Sequence, residues 1–167
     1  MSTTQYGQLG RHSRGIALVV VVWLLSVAHA VAQTTTMSIS SGTGTPGNTV
    51  TLQIGMNNWV PVQGLQFTIK DDSDIVDAET VVAASRLTSA GFSLSSFNPN
   101  ATTTIVIAFK FGNDPIPIGS GAIVTATFRL HGRLLDGAYP IKLTDVLLSD
   151  ANGNTLPGTV TVTHGTI

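Results

Sequence analysis

From Gly64 to Asp71 the chain alternates in polarity, with Leu65, Phe67 and Ile69 set against Gln66, Thr68 and Lys70. A period of two puts each set on one face of an extended backbone, so the segment predicts a half-buried β-strand. The same pattern recurs in Met37 and Ile39, in Val50 to Met56, in Ile105, Ile107, Phe109 and Phe111, in Ala122 to Leu130, and in Val160 and Val162. Tyr139 to Leu148 also alternates, but its parity slips near Thr144-Asp145, as at a β-bulge. Phe92, Leu94 and Phe97 predict a further short strand. Ile75 to Ala84 is apolar without clear alternation and reads as a strand that leaves room for a helical turn near Ala83 to Leu87. Turn residues separate these runs: Thr45-Pro-Gly-Asn48, Asn98-Pro-Asn100, Asp136-Gly137 and Asp150-Ala-Asn-Gly-Asn154. The sum is about nine short strands and no amphipathic helix. That predicts an all-β fold, a nine-stranded β-sandwich with jelly-roll topology. Parity assigns Phe67, Ile69, Phe109, Phe128 and Ile141 to the core. It assigns Gln66, Thr68, Lys70, Thr104, Val106, Ala108 and Lys110 to an exposed sheet surface.

The N-terminus reads differently. Arg11 and Arg14 precede the apolar run Ile16 to Leu25, and two A-x-A matches follow, Ala28-His29-Ala30 and Ala30-Val31-Ala32. A positive segment, a short apolar one and small residues at cleavage spacing define a secretory signal peptide. The expected division is a leader over 1–32 and one domain over 33–167, with cleavage after Ala32 preferred to cleavage after Ala30. The apolar run falls short of the ~20 residues that cross a bilayer, so no membrane span is expected after cleavage.

Composition narrows the chemistry. Charged residues make up 10% of the 167-residue chain, against about 25% in ordinary soluble domains. Removing Arg11 and Arg14 from the eight basic residues leaves six against nine acidic ones, a net charge of −3. No basic stripe remains to neutralise phosphates, which argues against nucleic-acid binding. The absence of cysteine excludes disulfides and thiolate metal sites. His131 and His164 stand far apart in sequence, and no G-x-S-x-G or H-E-x-x-H motif joins a nucleophile to a base. No catalytic residue is therefore assigned. Asp71, Asp72, Asp74, Asp77 and Glu79 form an acidic cluster, and carboxylates on such a loop could hold calcium; an exposed acidic loop is the commoner outcome, so no metal or cofactor is expected. Asp150 to Asn154 resembles the first half of a calcium loop, but Thr161 occupies the position that requires a bidentate carboxylate, and a hairpin turn is the better reading.

Taken in order, Thr45-Pro-Gly-Asn-Thr-Val50, Gly64-Leu-Gln-Phe-Thr-Ile-Lys-Asp-Asp72, Pro117-Ile-Gly-Ser-Gly-Ala-Ile-Val-Thr-Ala-Thr-Phe128, Leu147-Leu-Ser-Asp-Ala-Asn-Gly-Asn154 and the closing Val160-Thr-Val162 resemble the cohesin domain over about Met37 to Ile167. The resemblance implies a nine-stranded jelly roll, related to carbohydrate-binding modules, that binds dockerin-bearing proteins in extracellular polysaccharide-degrading assemblies. Well-known cohesins carry Asn and Asp on the strand matching Gly64 to Lys70, where this chain has Gly64 and Gln66. They also carry an apolar residue near Lys110 and an acidic one near Asn113. Combined with the outward parity, the resemblance points to a partner-binding face on Gln66, Thr68, Lys70, Val106, Ala108, Lys110 and Asn113, and the domain is expected to be a monomer. The alternative is direct binding of polysaccharide through Trp59 and Tyr139, the large amphipathic rings beyond the leader.

Overall fold

The computed structural model describes residues 34–71, 76–112, 114–156 and 158–167. The leader, Asp72, Asp74 and Asn113 lie outside the described residues, and with them most of the acidic loop considered for calcium. Ten strands and one helical turn follow in order: β1 Thr35–Ile39, β2 Thr49–Asn58, β3 Gly64–Asp71, β4 Val76–Ala83, α1 Ser85–Ser89, β5 Ser93–Asn100, β6 Thr103–Phe109, β7 Gly119–Leu130, β8 Pro140–Ser149, β9 Val160–Thr163 and β10 Gly165–Thr166. Nine of these strands fall on the segments expected to be strands, β4 among them although its sequence does not alternate clearly. The tenth, two residues long, is too short for any periodicity to announce it.

The strands form two five-stranded sheets, ordered β4-β7-β2-β1-β9 and β10-β8-β3-β6-β5. In the first, β1 runs antiparallel to β2 and parallel to β9. In the second, β3 lies between β6 and β8, antiparallel to both. This central position explains the depth of its apolar face: Leu65, Phe67 and Ile69 are each at most 3% exposed. Facing them from the first sheet are Met37, Leu52, Ile54, Val124, Ala126 and Phe128, all buried. Interdigitated inner faces of this kind are the core of a β-sandwich.

Two local features shape the sheets. Across from Phe67 the β3–β8 register shifts, so that two residues of β8 oppose one of β3, and Asp145 takes φ 52°. This is the bulge expected from the parity slip. On the other side of the sandwich, Arg86 of α1 donates to the carbonyls of Met56 and Pro117, both at 2.7 Å, and to the side-chain oxygen of buried Asn58. Burial holds the guanidinium pKa below its ordinary value. The arginine thus ties α1 to the end of β2 and the approach to β7.

β6 corrects one core assignment. Phe109 is 39% exposed, whereas Thr104, Val106 and Ala108 are at most 4% exposed. Both parities of this strand are apolar, so alternation could not choose between them. The register decides it: Val106 sits opposite Phe67 and Ala108 opposite Leu65. Beside those large inward side chains the smaller residues fit a close-packed interior, and Ile105, Ile107 and Phe109 turn outward.

Candidate functional site

The outer face of the second sheet can be read as rows across four strands. The first row is Ser93, Phe109, Gly64 and Ser149; the second is Ser95, Ile107, Gln66 and Leu147; the third is Phe97, Ile105, Thr68 and Thr144. Lys70 and Lys142 follow, in register on β3 and β8. Rows lie about 7 Å apart and strands about 4.8 Å apart, so the first three rows cover roughly 14 Å by 14 Å. Those twelve positions hold no charged residue. At the rim Asp145, displaced by the bulge, accepts a 2.9 Å hydrogen bond from the Thr144 hydroxyl.

What distinguishes this face is exposed apolar surface. Phe97 is 65% exposed, Ile107 42%, Leu147 56% and Phe111, just beyond β6, 91%. With Phe109 these are five of the eight large apolar residues that stand exposed among the described residues. The Phe109 and Phe111 rings meet edge to face with centroids 5.6 Å apart, a favourable aromatic geometry. Gly64 keeps the first row low, since a Cβ there would lie 2.7 Å from the Ser149 hydroxyl oxygen. Scattered apolar residues on a surface need no explanation, but a contiguous set rimmed by polar groups marks an interaction site.

The residues expected on this face divide. Gln66 and Lys70 lie on it. Thr68 has the outward parity but is 5% exposed, between Ile105 and Thr144 in its row. Val106 and Ala108 belong to the core, for the packing reason given above. Lys110 bends away: its Nζ donates to the carbonyl of Ala90 at 2.9 Å and pairs with Asp114 at 3.3 Å. Asn113 lies outside the described residues. The residues that make the face apolar, Phe97, Ile107, Phe109, Phe111 and Leu147, were not expected there. The signal for them was a strand apolar on both sides, since a two-layer sandwich can bury only one side.

The remaining candidates do not converge. Trp59 follows β2 near the start of β3, is half-buried, and has an indole N–H with no acceptor among the described residues. Tyr139 precedes β8, whose Ile141 pairs with Asp71 at the other end of β3, and its hydroxyl donates to Leu135 O at 2.7 Å. β3, eight residues and roughly 25 Å long, lies between the two positions, which therefore belong to opposite ends of that strand. His131 Nε2 lies 2.6 Å from Asp77 Oδ2, and His164 Nδ1 accepts from the Leu143 amide. No group of three or more potential metal-ligating side chains occurs among the described residues. The Asp150 carboxylate is occupied within its own hairpin by the amides of Asn152 and Asn154 and the Asn154 side chain. A groove of about 330 Å³ lies between β1, β2 and β7, with Gly55 and Gly121 in its lining.

The described residues thus combine a buried sandwich core with one outer face that carries contiguous exposed apolar side chains. The family profile described as the cohesin domain matches residues 35–167, and the chain belongs to the cohesin family. Among solved structures it resembles the sixth cohesin of Acetivibrio cellulolyticus scaffoldin B, crystallised with a Cel5 dockerin (15% identity, 80% of this chain and 97% of that one, TM-score 0.70). It resembles equally the cohesin of the OlpA–Doc918 complex from Clostridium thermocellum (16%, 80% and 97%, TM-score 0.67). A non-cellulosomal cohesin from the hyperthermophilic archaeon Archaeoglobus fulgidus is similar as well (18%, 80% and 88%, TM-score 0.65). No curated protein matches the sequence. Among the described residues no helix is long and apolar enough to cross a membrane.

Proposed function

We propose that this chain is a secreted, non-catalytic recognition module that holds a dockerin-type protein on the outer face of its second sheet, within an extracellular polysaccharide-degrading assembly. The observation that carries the reading is the clustering of Phe97, Ile107, Phe109, Phe111 and Leu147 on that one face. Apolar surface left in water is a standing cost of about 25 cal/mol per Å², recovered when a partner covers it. Family membership supplies the partner class, and the leader supports export. The placing of Trp59 and Tyr139 at opposite ends of β3 does not favour a polysaccharide platform.

The test is binding of recombinant dockerins, from the source genome and from the solved complexes, to the wild type and to Ile107→Asp. Ile107 sits mid-face and outside the core, so its substitution should preserve the fold. A charge placed there would be desolvated without a counter-ion, and binding should fall at least about a hundredfold. Unchanged affinity in Ile107→Asp would move the partner to another surface.

A further inference from the structure

The most exposed large apolar side chain among the described residues, Phe111 at 91%, stands on a backbone held from both sides. On one side Lys110 is anchored through its ammonium to Ala90 O and Asp114. On the other, Gly112 takes φ 116°, a conformation that favours glycine, and its carbonyl accepts from Gln63 Nε2 at 2.6 Å. Gln63 is itself fixed, its amide donating to Ser149 O at 2.8 Å. Phe109 then braces the ring edge to face. The chain therefore spends several hydrogen bonds holding a phenyl ring out in water, a place where the ring gains nothing in the free protein.

We propose that Phe111 is a preorganised anchor that inserts into an uncharged apolar socket on the contacting surface of the dockerin-type partner. The proposal rests on the partner-face reading above and adds which residue sets specificity and what it requires. Rigid aromatic residues lose little conformational entropy on binding, and a few of them carry most of the energy of an interface. The socket's chemistry follows from charge. The first three rows of the face hold no ionic group, and the ammonium of Lys110, the preceding residue, is turned to Ala90 and Asp114. A charged group on the partner opposite Phe111 would be desolvated against a phenyl ring, with the neighbouring Lys110 and Asp114 already paired to each other.

Titration calorimetry against the Doc918 dockerin and each dockerin of the source genome tests this, comparing wild type, Phe111→Ala, Gln63→Ala and Ile107→Asp. Phe111→Ala should weaken binding about thirtyfold or more with an unchanged thermal midpoint, because the ring packs against no core residue. Gln63→Ala should weaken it several-fold by loosening the backbone that presents the ring. In the complex, fluorophenylalanine at position 111 should show a ¹⁹F resonance shifted and protected from solvent. If Phe111→Ala binds within about twofold of wild type while Ile107→Asp does not bind, the face stands and the anchor is overturned. If Phe111→Ala fails but Gln63→Ala binds as wild type, preorganisation is overturned. If no dockerin binds the wild type, or the ring is instead buried in a dimer of this chain, the partner class falls and takes the anchor with it.

Discussion

Phe67 and Phe109 belong to adjacent strands of one sheet and point to opposite faces, one fully buried and the other 39% exposed. Removing the ring of Phe67 leaves a cavity among Leu, Ile and Met side chains that cannot all collapse into it. Phe67→Ala should therefore cost about 3–5 kcal/mol, measured as a fall in the denaturant midpoint at unchanged slope. Phe109→Ala leaves no interior cavity and should shift stability by less than about 1 kcal/mol. Equal losses for the two would mean that β6 is inverted. Arg86 presents a different residue-scale case, since its planar fork serves three acceptors that an ammonium could not reach together. Arg86→Ala should cost about 1–3 kcal/mol through acceptors left short of a donor, and Arg86→Lys should recover only part of that in thermal melts. Neither the position nor the partners of Arg86 show in the sequence, because a lone arginine in an apolar stretch carries no periodicity.

At the scale of elements, legibility followed chemistry that is local. β2 and β3 alternate cleanly because each has one apolar side, and both were readable with their orientation. The bulge in β8 was readable because Thr144 and Asp145 are two polar residues in succession within an alternating run. β6 was readable as a strand but not in orientation, and its orientation depends on Phe67 and Leu65, some forty residues away in sequence. The outward surface inherited that ambiguity: on β3 Gln66 and Lys70 have the outward parity while Thr68 is 5% exposed, and on β6 Val106 and Ala108 face the core. The Asp150 hairpin is a local element whose electrostatics can be tested. Backbone hydrogen bonds, that of Asn154 foremost, hold the carboxyl pKa below its ordinary value. A depressed folded pKa means that the ionised turn is favoured above the ordinary carboxylate range, and that this contribution is lost as pH falls through the lowered value. Amide exchange at Asn152 and Asn154, corrected for its intrinsic pH dependence, should thus stay protected through the usual carboxylate range and open only in stronger acid. Opening at the ordinary carboxylate pKa would show that these bonds do not hold the charged form.

For the whole molecule, the two outer faces differ in what they offer. On the first sheet the outward positions of β2 and β7 include Thr51, Gln53, Thr125, Thr127 and Arg129, and Thr51 and Thr127 hydrogen-bond to each other across the strands at 3.1 Å. Such a face is satisfied by water and by itself. On the second sheet the outward positions of β5 and β6 are largely aromatic and aliphatic, and nothing in the chain covers them among the described residues. A sandwich uses its inner faces for stability, so its outer faces are free to diverge, and among the described residues five of the eight exposed large apolar side chains belong to the second sheet's face, against Val82 on the first sheet. A partner driven by apolar burial should then choose by face and ignore the other. Gln53→Arg, which adds a long charged side chain to the polar face, should leave the dockerin dissociation constant within about twofold of wild type, as surface substitutions away from an interface do. The wild type should elute as a monomer in size-exclusion chromatography and as a one-to-one complex after the partner is added. A complex that is lost in Gln53→Arg would place the partner on the first sheet, where the groove beside Gly55 and Gly121 would become the surface to examine.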